Sequence, residues 1–203
     1  MKIAILGYGR IGSSLGKKWV EAGHTLCFGV RDPQKSQVRE LVSSLGSRVS
    51  ACDIPQAIEA SEVVVFAIPG SAMDQTIAIH AGALNGKMII DTANKMTGPV
   101  ANSLATFVHL TPEARYFRAF NIYGWENFEN PDHHGETADL FYCGPDGEPR
   151  TKMEQLIREV GLRPVCLGDT DKVEVVDALL QVWFTLIRAQ HLSRHTALKL
   201  ITS

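Results

Sequence analysis

GYGRIG, residues 7 to 12, decides how the rest of the chain is read. It follows a short apolar run, residues 2–6, that reads as a strand, and it precedes helical spacing at Ile11, Leu15, Trp19 and Ala22. Three glycines in a GxGxxG pattern between a strand and a helix have separate physical roles. Gly7 permits the tight turn. Gly9 lets the backbone approach a pyrophosphate with no side chain in the way. Gly12 lets the helix pack close to the strand. Tyr8, Arg10 and Ile11 fill the remaining positions. The helix N-terminus offers unpaired N–H groups and partial positive charge to an anion.

Outward from that loop, apolar runs alternate with helical patterns. Strands are expected over residues 25–30, 48–51, 63–68 and 88–91, with helices over 32–45, 53–60, 71–83 and 98–110. Residues 63–68 are nearly all apolar, as befits a strand covered on both faces of a parallel sheet. Further strands are read at 116–120, 140–143 and 163–167 and a helix at 148–160, with a polar, aromatic loop after 120. The alternation predicts a doubly wound, mostly parallel α/β sheet of the Rossmann type. It divides into a dinucleotide-binding domain, 1–168, and a C-terminal helical segment, 169–203, that is not an independent domain.

GVRDPQK, residues 29–35, addresses which dinucleotide. An NAD site would place an acidic residue after the second strand to accept bonds from the ribose. Val30, 18 residues beyond Gly12, cannot accept one. Arg31 offers a planar fork suited to phosphate, and Lys35 adds a second positive charge. Asp32 is read as a helix cap before Pro33. The expected ligand is NADP(H), its 2′-phosphate held by Arg31 and Lys35.

The set GYGRIGSSLG, GVRDPQK, VVVFAIPG, DTANKMTG, RAFNIYG and GLRPVCLG resembles, in order and spacing, the NADPH-dependent reductases of the deazaflavin coenzyme F420. That family includes the cytosolic oxidoreductase domain of six-transmembrane ferric reductases. The resemblance covers residues 1–189. It implies that Ile68 and Pro69 lie along the cofactor, and that Asn94, Ala119 and Asn121 approach its nicotinamide. Many members have serine or threonine where Val30 stands, so Arg31 has fewer helpers here.

The resemblance also implies an enzyme that moves hydride between NADP(H) and a flavin-like acceptor, F420 among the candidates. Such transfer between stacked rings needs alignment more than a proton donor. Reduction of a carbonyl or imine would need a donor, and Lys95 and Tyr123 are the candidates for it. A non-catalytic NADP-sensing module is the reading from another class. His133-His134 reads as an exposed turn, and His191 and His195, four apart on an expected helix, as a surface stripe; no metal site is expected.

Composition limits the partners. With 203 residues, 45% apolar, 21% charged and a net charge of -2, the chain reads as an ordinary globular protein without the electrostatic footprint of a nucleic-acid or membrane binder. The opening strand leaves no room for a signal peptide. Cys27, Cys52, Cys143 and Cys166 lack CxxC spacing and read as reduced thiols in a cytoplasmic protein. Residues 171–200 form an amphipathic stretch with a wide apolar stripe, including Val176, Leu180, Trp183 and Ile187. It is expected to be one long helix, and the excess apolar surface predicts a homodimer through it.

Overall fold

A computed structural model describes residues 1–202. The chain runs β1 (Lys2–Leu6), α1 (Arg10–Glu21), β2 (Thr25–Gly29), α2 (Ser36–Leu45), β3 (Val49–Cys52), α3 (Ile54–Glu59), β4 (Val63–Phe66), α4 (Met73–Leu84), β5 (Met88–Asp91), α5 (Leu104–Leu110) and β6 (Arg115–Arg118). These six strands form one sheet in the order β3-β2-β1-β4-β5-β6, and every pairing is parallel. The order reverses between β1 and β4, which opens a crevice beyond their C-terminal ends. All of β4 and β5 is buried, so helices cover both faces there, as the unbroken apolar run in β4 requires.

The remainder comprises α6 (Glu126–Glu129), the hairpin β7 (Asp132–His133) and β8 (Glu136–Thr137), β9 (Asp139–Tyr142), α7 (Glu148–Val160), β10 (Arg163–Cys166) and α8 (Val173–Arg188). β9 and β10 pair in parallel as a separate two-stranded sheet. A single bridge between Arg118 and Cys143 joins it to β6. Trp19 of α1 packs edge-on against Phe120 and donates its indole N–H to the Leu156 carbonyl of α7 at 3.0 Å, tying this second layer to the first.

The doubly wound fold is borne out, and four local expectations are corrected. The helix expected from residue 32 starts at Ser36, because the Asp32 carboxylate closes a turn on the Gln34 N–H at 3.0 Å instead of capping a helix. The helix expected over 98–110 shortens to α5. Gly98 takes φ +98°, and the Lys95 N–H reaches forward to the Ala101 carbonyl at 2.8 Å, closing a loop ahead of α5.

The long C-terminal helix ends at Arg188, so His191 and His195 share no helical face. His191 adopts φ 56°, and His195 stacks on His133 with ring centroids 4.3 Å apart. The tail beyond α8 is pinned by its backbone: Trp183 donates to the Thr196 carbonyl at 2.7 Å, and the Asp139 N–H to the Leu198 carbonyl at 3.0 Å. Finally, Cys27 and Cys52 are not separate thiols. A disulfide joins them across β2 and β3, two residues out of direct register and 25 apart in sequence. Cys143 is buried and Cys166 half-buried, both free.

Candidate functional site

At the crevice, each glycine of the loop does what its position demands. Gly7 has φ +99°, and a Cβ there would sit 2.5 Å from the Ala67 carbonyl oxygen. At Gly12 a Cβ would meet the Gly7 carbonyl at 2.6 Å and the side chains of Ile5 and Ala67, so α1 crosses close over β1 and β4. At Gly9 a Cβ would meet nothing within 4 Å. That residue is spared a side chain on the open side, where a ligand backbone can approach. The first intrahelical bond of α1 runs from Ser13 N–H to the Gly9 carbonyl at 2.9 Å, so the N–H groups before it have no helical acceptor. The loop therefore fits a pyrophosphate.

A cleft of about 600 Å³ runs from this loop. Gly7, Tyr8, Gly9, Val30, Arg31, Ile68 and Pro69, all expected at the site, line it. The Val30 side chain is buried in the core, and its N–H is bonded to the Cys52 carbonyl at 3.0 Å. Arg31 is exposed and has no acidic partner within bonding distance among the described residues. Lys35 lies over the Tyr8 ring at 5.8 Å, on the same rim. Both cations are thus free to meet an anion. Arg10 does not line the cleft; its guanidinium stacks 4.4 Å over Trp125. Ile11 is half-buried against the core.

Sequence reasoning missed the opposite wall. Ile54 and, from α4, Gln75, Thr76, Ile79 and His80 line the same cleft. Ile79 is 66% exposed, an apolar side chain left open at the cleft mouth. Burial pulls His80 below the ordinary imidazole range, and Asp53 opposes it. The only sequence signal here was an apolar residue off the buried stripe of a helix.

Asn94, Ala119 and Asn121, at the strand ends of β5 and β6, lie beyond Pro69 and outside the described residues that line this cleft. Asn94 is half-buried, while Asn121 and Ala119 are buried. The Asn94 amide donates to the Asn121 carbonyl at 2.8 Å. Its own carbonyl accepts from Arg118 at 2.6 Å. The turn carrying Pro69 packs directly on Asn94: a Cβ on Gly70 would overlap the Asn94 backbone carbonyl. Ala119 supports these strand ends from beneath, its N–H directed at the Asp91 carbonyl at 3.4 Å.

Under these asparagines lies a buried ionic cluster that sequence reasoning did not anticipate. Arg118, fully buried, pairs with Asp177 of α8 at 2.7 Å and with Asp91 at 3.2 Å. It also donates to the Ala93 carbonyl at 2.5 Å. Asp91 accepts from the Tyr116 hydroxyl at 2.9 Å and the Ala93 N–H at 3.0 Å. Burial pushes the Asp91 carboxyl up, against the pull of Arg118. Burial acts to lower Arg118, but Asp91 and Asp177 more than reverse it and hold the guanidinium above its ordinary value. Asn121 Oδ1 and Ser103 Oγ are buried here without a partner.

Neither candidate proton donor is free. Lys95 Nζ bonds both oxygens of Asp74 at 2.8 Å. The Tyr123 hydroxyl donates to the Asp139 carbonyl and accepts the Leu198 N–H, each at 2.8 Å, and burial raises it well above an ordinary phenol. Among the described residues, no three His, Cys, Asp or Glu side chains converge as for a metal ion. No described helix is long and apolar enough to cross a membrane.

A glycine-loop crevice at the switch point of a parallel sheet defines a dinucleotide-binding protein of the Rossmann type. Residues 2–95 match the family model described as NADP oxidoreductase, coenzyme F420-dependent, bearing out the resemblance seen in the sequence. The F420-dependent NADP reductase of Methanothermobacter marburgensis is 28% identical over 116 residues, 54% of this chain and 52% of that one. A glycerol-3-phosphate dehydrogenase [NAD(P)+] of Pseudomonas fluorescens is 24% identical over 124 residues, 56% of this chain. The chain spans 35% of that dehydrogenase. A solved structure from Arthrobacter sp., provisionally assigned as an F420-dependent NADP-reductase, superposes over 100% of both chains with a TM-score of 0.84 and 23% identity. That likeness is one of fold.

Proposed function

We propose that the chain is an NADP(H)-dependent oxidoreductase that passes hydride between the nicotinamide and a flat, flavin-like acceptor such as coenzyme F420. One observation carries this reading. A single cleft has an anion-ready glycine loop in its floor and, among the described residues, an arginine without an acidic partner on its rim, and the turn that follows Pro69 on its wall packs against Asn94. The 2′-phosphate meets Arg31 and Lys35, and the pyrophosphate meets the N-terminus of α1. The bound cofactor supplies the hydride; the protein binds, orients and excludes water.

The engagement of Lys95 and Tyr123 in structural bonds supports a ring acceptor over a carbonyl or imine, which needs a positioned acid. The matched family model and the Methanothermobacter relative point the same way. The test follows NADPH oxidation at 340 nm with F420, FMN, and small carbonyls and imines. Turnover with a ring acceptor, and with neither of the others, is expected. Tight NADPH binding without turnover on any acceptor, together with an NADP-dependent change in oligomeric state, would replace the reading with a sensor module.

We further propose that α8 pairs two copies of the chain in a homodimer. Val175 and Val182 remain 50% and 47% exposed on it, although Val176, Leu180 and Trp183 are buried. Light scattering of the purified protein is expected to give twice the chain mass, and a stable monomer removes the idea.

A further inference from the structure

Asp177 lies on α8, far along the chain from the glycine loop, and lines a separate surface pocket with Asn102, yet its carboxylate reaches the groups at the strand ends of β5 and β6. One carboxylate oxygen accepts from Arg118 Nε at 2.8 Å and from the Asn121 amide at 3.2 Å. The other accepts from Asn102 at 2.7 Å. Every one of these partners is a donor, and a carboxylate can only accept.

The consequence is a fixed orientation for two amides. Because Asp177 accepts, Asn121 must turn its N–H group toward it. Because Arg118 can only donate, Asn94 must turn its carbonyl toward the guanidinium, as the 2.6 Å contact shows. The Asn94 amide nitrogen then faces the other way. One of its two hydrogens goes to the Asn121 backbone carbonyl at 2.8 Å. The second is left as a donor on a half-buried residue. A nicotinamide carries a carboxamide whose oxygen accepts such a bond.

We propose that Asp177 is a positioning residue for the nicotinamide half of the dinucleotide: through Arg118 it sets the Asn94 amide to donate to the carboxamide oxygen. This rests on the reading of the cleft as an NADP(H) site. It makes α8 part of the binding machinery, and it leaves the adenosine half independent of α8.

Calorimetry with two ligands separates the halves. NADP+ uses both ends of the cleft, and 2′,5′-ADP uses only the adenosine end. Asp177→Asn exchanges one carboxylate oxygen for an amide donor and removes one of the two charges that hold Arg118, which loosens the guanidinium against the Asn94 carbonyl. The expected result is a loss of about tenfold or more in NADP+ affinity with 2′,5′-ADP binding unchanged within about twofold; such a tenfold loss corresponds to about 1.4 kcal/mol.

Equal losses for both ligands would show that Asp177 acts only through stability and would overturn the proposal, as would no loss for either. If the wild type binds neither ligand, the cofactor reading itself falls, a result distinct from both. Should Asp177→Asn fail to fold, Arg118→Lys keeps a buried cation between Asp91 and Asp177 but lacks the planar fork that reaches Asn94. The same split between NADP+ and 2′,5′-ADP is expected for it, and equal binding of both ligands at wild-type strength overturns the proposal.

Discussion

The two ends of the crevice are built on opposite electrostatic plans. At the proposed adenosine end Arg31 and Lys35 stand exposed on the rim, their charges uncommitted to any acidic partner among the described residues. At the proposed nicotinamide end Arg118 is fully buried and spends its donors on Asp91, Asp177, Asn94 and the backbone. An exposed cation gives up little hydration to meet a phosphate, so it can discriminate between ligands without holding the fold together. A buried cation stabilises only while its partners are in place, and it fixes geometry in return. On the proposed reading, choosing the cofactor and aiming it fall to different ends.

The largest expected effect follows from that separation. Arg118→Met would leave Asp91 and Asp177 buried with no counter-charge. Removing one partner of a buried ion pair costs about 3–5 kcal/mol. Urea denaturation should show a loss of that order, while Arg31→Ala, measured beside it, should stay within about 0.5 kcal/mol of wild type. Comparable losses for the two would dissolve the contrast between the ends.

This contrast also tracks what the sequence could reveal. The glycine loop was legible because each glycine answers a local steric demand: a positive φ at Gly7, a close approach at Gly12 and an open face at Gly9. β4 was legible because a strand covered on both faces has to be apolar throughout. Arg31 was legible by its offset from the loop. The cluster below Asn94 was not. Asp91, Arg118 and Asp177 look like surface residues one at a time, and Arg118 lies 59 residues from Asp177. Only the topology brings the ends of β5, β6 and α8 together. The cysteine pair was hidden in the same way, by a contact between neighbouring strands.

Local competition explains the other misses. Asp32 has the residue type of a helix cap, but its side chain found the Gln34 N–H two residues on. The apolar spacing after Arg188 continued a helical pattern, yet Trp183 and Tyr123 offered side-chain partners to the tail backbone, and a non-helical strap resulted.

The adenosine end is expected to show its character in affinity. A hydrogen bond to a charged group contributes about 1.5–3 kcal/mol, so Arg31→Ala should weaken NADP+ binding by about 10- to 100-fold. NAD+ affinity, measured by the same calorimetry, should hardly move, and the NADP+ value should fall as salt is raised. Loss of both dinucleotides to the same degree would mean that Arg31 supports the cleft and does not read the 2′-phosphate. Lys35→Ala is expected to act in the same direction with at most about a fivefold effect, because Lys35 also rests on the Tyr8 ring and presents only a point charge.

The smallest effect probes the boundary between the two plans. Lys95 follows Asn94 directly but reaches outward to Asp74, whose side chain is 55% exposed. Partial burial pushes the Asp74 carboxyl up, yet bonds from Lys95 and Thr106 outweigh it and hold the group below its ordinary value. A carboxyl that binds its proton less readily in the folded state stabilises the fold above its ordinary range. That contribution drains away as acid takes the pH down through the lowered range. Asp74→Asn should therefore cost less than about 1 kcal/mol at pH 7, and its stability curve should begin to converge on wild type as the pH falls below about 4. High salt should shrink the neutral-pH difference further. If the loss instead approached that of Arg118→Met, the ionic scaffold would extend from the buried strand ends to the surface. Lys95 would then belong with the groups that aim the cofactor.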